Sequence, residues 1–115
     1  MPPRNWVIRV QDILDAIGKI HKYTSGMTED QFAADDKTID AVIRNFSIIG
    51  EAANMIPEDI QNKSTAIPWS EMIGMRNVVV HGYHKVSVSV VWTSIKNDLP
   101  SIEPSLKTLL ASANP

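Results

Sequence analysis

From Arg4 to Tyr23 the apolar residues Trp6, Val7, Val10, Ile13, Leu14, Ile17 and Ile20 recur at steps of three and four. That spacing gathers them on one face of a helix. Ser25-Gly26 closes the pattern, because glycine enters the left-handed conformation that often follows a helix C-terminus. Thr28 and Gln31 then stand at capping-box spacing, which predicts a short turn through Phe32, and Asp35 or Asp36 is placed to cap a longer helix. In that second helix Ile39, Val42, Ile43, Phe46, Ile49, Ala53 and Ile56 repeat the stripe until Pro57 ends it. Ile48 and Gly50-Glu51-Ala52 lie off the stripe, and the small residues among them would let another helix approach closely.

Residues 57–66 are polar and mixed, and read as a connection with one helical turn at most. Pro68 suits a first helical position, and Trp69, Met72 and Ile73 begin a third stripe. Val78, Val79 and Val80 favour strand, but three residues between Arg76-Asn77 and His81-Gly82 are too few for one, so the helix is expected to run to about Val80. Ser87 can cap a further helix with Val88, Val91, Trp92 and Ile95, and Leu99, Ile102, Leu106, Leu109 and Leu110 carry the pattern onward. Pro100 and Pro104 interrupt it, which leaves either two helices or one kinked helix. These elements predict an all-α fold, an antiparallel bundle of four to five helices.

Composition narrows the chemistry. The chain has 115 residues, 43% hydrophobic and 21% charged, as an ordinary globular protein has, and its length suits one domain over residues 1–115. No apolar run reaches the roughly 20 residues of a membrane-spanning helix, and Met1-Pro2-Pro3-Arg4 does not open a signal peptide, so a cytoplasmic protein is expected. With no cysteine, thiol nucleophiles, thiolate metal sites and disulfides are excluded. A net charge of -2 gives no general basic footprint for nucleic acid, so any RNA contact must be local.

The most informative cluster is Arg76, four intervening residues, His81, Gly82 and Tyr83. Cations in the last turn of a helix complement its dipole and Gly82 can simply end it, so spacing alone admits a purely structural account. Five residues along a helix turn Arg76 and His81 about 140° apart. A break at Gly82 would let His81 and Tyr83 turn toward a shared cleft.

With this motif the chain resembles the HepT-like family of the HEPN superfamily, whose members carry Arg, four to six residues, then His, often followed by x-Tyr. The resemblance is also carried by Asp12-Ile13-Leu14-Asp15-Ala16-Ile17, Asp40-Ala41-Val42-Ile43-Arg44-Asn45, Ile49-Gly50-Glu51-Ala52-Ala53 and Ile67-Pro68-Trp69, in order and nearly end to end. It implies a single HEPN-like domain and a metal-independent, cofactor-free endoribonuclease toxin, paired with a minimal nucleotidyltransferase antitoxin. Arg76 and His81 are then the catalytic pair. Arginine's fork of donors matches phosphate oxygens, and histidine near neutral pH both gives and takes protons. One His81 faces two proton transfers, which a homodimer with the motif at its interface would resolve.

The resemblance makes Tyr83 the acceptor for nucleotide transfer (AMPylation) by the partner, which would block RNA by volume and charge. From the residues alone, Tyr83 binds substrate through its hydroxyl, stacks on a base, or packs at the core edge. Asn77 either orients a phosphate or caps the helix end. Glu51 either anchors Arg76, lines the cleft, or is a solvated or interface carboxylate. His21 and His84 read as a helix-end and a loop residue, and three scattered histidines make no metal site. Trp6, Trp69 and Trp92 lie on apolar stripes and are expected in the core. A rival function is a non-catalytic dimer that binds a nucleotide or recruits the nucleotidyltransferase.

Overall fold

The computed structural model describes residues 5–82 and 87–113, for 77–82 the backbone alone. Helix α1 (Asn5–Thr24) buries Val10, Ile13, Ala16, Ile17 and Ile20, the stripe expected of it. Its end is made locally: the Thr24 hydroxyl donates to the Ile20 carbonyl at 2.8 Å, and Gly26 follows with φ +77°, a conformation costly for any residue with a Cβ. The five-residue α2 (Glu29–Ala33) begins with the reciprocal capping box. Gln31 N–H donates to Thr28 Oγ1 at 3.1 Å and Thr28 N–H to Gln31 Oε1 at 2.9 Å. Its one buried side chain, Phe32, meets Trp92 with ring centroids 5.3 Å apart.

Helix α3 (Asp36–Asn54) is the centre of the molecule and packs along both α1 and α5. Asp35 is the cap and Asp36 the first helical residue. Thr38 donates its backbone N–H to Asp35 Oδ1 at 3.1 Å and its hydroxyl to Oδ2 at 2.7 Å, and these bonds hold the Asp35 carboxyl below its ordinary pKa. The helix stops at Asn54, two residues short of the predicted Ile56. Pro57 disfavours helical backbone at the residue before it, yet Ile56 still buries its side chain.

The connection contains one turn, α4 (Glu58–Gln61), and is tied to α5 (Trp69–Gly82) by the Trp69 indole N–H, which lies 3.2 Å from both the Gln61 and Ser64 carbonyls. Pro68 stands just before α5 rather than within it. Val78 to Val80 stay helical, and α5 runs two residues past the predicted end. Gly82 is the last described residue of α5, and the expected turn of Tyr83 beyond it lies outside the described residues.

Ser87 caps α6 (Val88–Thr93), which passes through a π turn (Ser94–Asp98) into α7 (Leu99–Ala111). Thr93, Ser94, Asp98 and Leu99 all have right-handed helical angles, so the two prolines produce one continuous rod rather than two separate helices. Pro100 has no N–H for the Lys96 carbonyl, and the wider π turn absorbs the mismatch while the Ser101 hydroxyl donates to the Asp98 carbonyl at 2.7 Å. Pro100 and Pro104 are exposed, so water can take the carbonyls they leave unpaired. Ile95, Leu99, Ile102, Leu106 and Leu109 face inward.

The result is an all-α bundle of four long rods with two short helices between them, and no strand occurs among the described residues. Trp69 is buried, whereas Trp6 and Trp92 pack half-buried against the core, and Lys96 Nζ sits 4.8 Å above the Trp92 ring. His21 is more than a helix-end residue. Its Nε2 lies 3.8 Å from Glu103 Oε1, linking α1 to α7. No helix among the described residues is long and apolar enough to cross a membrane.

Candidate active site

The site is built where α3 and α5 cross. At Gly50 the two backbones come so close that a Cβ there would stand 2.7 Å from the Arg76 backbone nitrogen, 2.8 Å from Arg76 Cβ and 3.1 Å from the Ile73 carbonyl oxygen. The close approach allowed by the small off-stripe residues of α3 is thus made at Arg76 itself. The next residue of α3, Glu51, places Oε1 3.6 Å from Arg76 Nη1. Glu51 thus stands within ion-pair reach of Arg76 while its side chain remains largely exposed.

The two side chains differ in exposure: that of Arg76 is 30% exposed and that of Glu51 63%. The guanidinium stem is therefore packed while its carboxylate partner remains in water. Such a pair contributes little to stability, about 0–1 kcal/mol, but it limits where the guanidinium points. Among the described residues only one nitrogen of Arg76 is within 4 Å of Glu51, and a guanidinium carries five N–H donors.

Beside Glu51 a shallow groove runs between α1 and α3, lined by Arg9, Asp12, Ser47, Ile48, Ala52 and Met55. Arg9 Nη1 lies 3.9 Å from Asp12 Oδ2 across one turn of α1. The sequence reading did not connect α1 to this region. Arg9 and Asp12 lie on the edge of the α1 stripe, where a helical period alone cannot tell open solvent from a groove wall.

His81 lies on α5 five residues after Arg76, so along an unbroken helix the two Cα atoms are separated by about 7.5 Å of axial rise. The side chains of Asn77 and His81 lie outside the described residues, as do Tyr83 and His84 entirely. The structure accordingly joins Arg76 with Glu51 and puts the backbones of Asn77 and His81 on the same helix. No group of three His, Cys, Asp or Glu residues suited to a metal ion occurs among the described residues.

Comparison with known proteins identifies the family. The family model described as ribonuclease HepT-like matches residues 13–109, which span α1 to α7 and include Glu51, Arg76 and His81. The probable ribonuclease HepT of Thermococcus cleftensis is 40% identical over 100 residues, covering 87% of this chain and 91% of the relative. A protein of Methanocaldococcus jannaschii, named as an inferred RNase, is 34% identical over 113 residues, covering 95% of this chain and 93% of its own length. Another inferred RNase, from Caldanaerobacter subterraneus, is 29% identical over 101 residues, with 88% and 90% covered. No solved structure matches the chain significantly. With a family model over most of its length and relatives matched nearly end to end, this chain belongs to the HepT-like ribonuclease family of the HEPN superfamily.

Proposed function

We propose that the protein is a metal-independent endoribonuclease toxin of a toxin-antitoxin pair. The observation that carries this reading is the fixed placement of Arg76, packed on Gly50 and paired with Glu51, on the helix that also bears His81, in a chain of a ribonuclease family. In the reaction the RNA 2′-hydroxyl attacks the adjacent phosphorus. A 2′-O–P bond forms, the P–O5′ bond breaks, one proton leaves the 2′-oxygen and one is delivered to the departing 5′-oxygen. Arg76 neutralises the charge that gathers on the phosphorane oxygens. His81 moves protons, acting as base or acid according to its state.

Two proton transfers and one His81 per chain favour a symmetric dimer with two motifs in one cleft. The outer strip of α3 supports self-association. Exposed Arg44 and Glu51 stand at equal distances either side of Ser47 and Ile48, and exposed Asp40 and Met55 lie at equal distances further out. Two α3 strips meeting antiparallel about that midpoint would set Arg44 against Glu51 of the partner subunit, and the reverse. Opposite charges would meet at both ends.

The deciding experiment incubates purified protein with RNA and an excess of chelator. Cutting should persist and leave 2′,3′-cyclic phosphate and 5′-hydroxyl ends. His81→Ala should remove cutting while the circular dichroism spectrum and the mass of the dimer stay as in wild type. If unmodified wild type leaves RNA intact, the protein acts instead as a nucleotide-binding or partner-recruiting helical dimer.

Neutralisation by the partner runs through Tyr83 in this proposal. A minimal nucleotidyltransferase with ATP transfers adenylate to the Tyr83 hydroxyl and releases pyrophosphate, and the added bulk and negative charge keep an RNA phosphate from Arg76. Intact mass should rise by one adenylate per modified chain, and Tyr83→Phe should not gain it. An unchanged wild-type mass together with loss of toxicity would assign neutralisation to binding rather than modification.

A further inference from the structure

We infer that Gly50 is a positioning residue of the ribonuclease site, setting the depth at which Arg76 is held; this rests on the ribonuclease reading above. Two other helical glycines provide the contrast. A Cβ added at Gly18 or Gly74 would meet nothing within 4 Å, whereas at Gly50 it would press on the backbone nitrogen and Cβ of Arg76 at 2.7 and 2.8 Å. Carbon atoms pack at about 3.5–4.0 Å, so a methyl at position 50 must move one backbone by roughly 0.7 Å or more. Both atoms are held in helices, so no flexible side-chain end can yield instead.

The requirement for glycine is therefore imposed by Arg76 and not by the conformation of α3. Gly50 lies inside a regular helix, where alanine would normally be preferred. The displacement would act on the site directly. Arg76 is the residue pressed upon, and its partner Glu51 is the next residue of α3, so moving one helix from the other changes the guanidinium's depth and its ion-pair geometry together. Transition-state stabilisation depends steeply on such placement, and errors near 1 Å cost about a hundredfold in rate. RNA binding, spread over more contacts, is less sensitive.

The test compares Gly50→Ala with Gly18→Ala and Gly74→Ala in single-turnover cleavage of RNA, with folded fraction measured by circular dichroism. The two open-space variants should cut as wild type does. Gly50→Ala should cut about 10- to 100-fold more slowly at saturating RNA, with half-saturation changed less than about twofold. To keep the fold in hand, Gly50→Ala is also made with both open-space alanines present, which raise helix stability. A slow rate that persists in this triple variant upholds the positioning role. A wild-type rate in Gly50→Ala overturns it, and so does a loss that only follows the unfolded fraction and vanishes in the triple variant.

If the wild-type chain itself does not cut RNA, the ribonuclease reading fails separately. The placement is then read from the Arg76 Nε–Hε resonance. Movement of that resonance in Gly50→Ala but not in Gly18→Ala upholds it, and an unmoved resonance overturns it.

Discussion

Arg76→Ala is expected to slow RNA cleavage by about 10²- to 10³-fold at saturating substrate, the effect of removing one oriented donor set from a developing oxyanion. The fold should survive. The alanine keeps the Cβ that lies against Gly50, and the ion pair given up has an exposed partner in Glu51. Lost pairing therefore costs about 0–1 kcal/mol, with a further small loss from the packed stem. Arg76→Lys should fall between wild type and alanine, since lysine restores the charge but not the planar fork that meets two phosphate oxygens. Single-turnover rates together with thermal unfolding of each variant separate the two effects. Wild-type cleavage by the alanine variant would remove Arg76 from the chemistry.

Ile49→Ala should destabilise the protein by about 2–5 kcal/mol, through lost transfer energy and the cavity left behind. Ile49 is fully buried on the stripe of α3, the helix that packs along both α1 and α5, so the surroundings cannot collapse onto the gap without moving a long helix. Against a total stability of about 5–15 kcal/mol for a domain of this size, the loss is large, and the unfolding midpoint should fall by roughly ten degrees or more. Met55, the C-cap residue just past this helix and 54% exposed, provides the contrast: Met55→Ala should change stability by only about 0.5 kcal/mol. Urea titrations with an unchanged slope would confirm that the difference lies in stability and not in the denatured state. Equal midpoints for the two variants would contradict the buried stripe.

The properties carried within single helices were legible from residue types and spacing. The stripe of α1, the Thr28–Gln31 capping box, the Ser87 cap and the one-turn connection before Trp69 are local, each made by residues at most a few turns apart. Local signals were incomplete where packing competes with them. Pro100 and Pro104 left two helices or one kinked helix open, and a π turn carries the backbone through them as a continuous rod. Ile56 continues the α3 period by spacing, but the proline after it turns the backbone away.

Spacing left a purely structural account of Arg76 and His81 open, the family resemblance made them the candidate pair without giving them surroundings, and Glu51 kept three alternative roles. Its pairing with Arg76 depends on how α3 and α5 cross, and so does the contact at Gly50. Periodicity tells which face of a helix is buried. It carries no information on which residue of another helix that face meets, or at what depth, because crossing angle and separation come from the summed packing of all the rods. Helix content, caps and the motif were thus written in order along the chain, whereas the seat of Arg76 on Gly50 exists only once the bundle has closed.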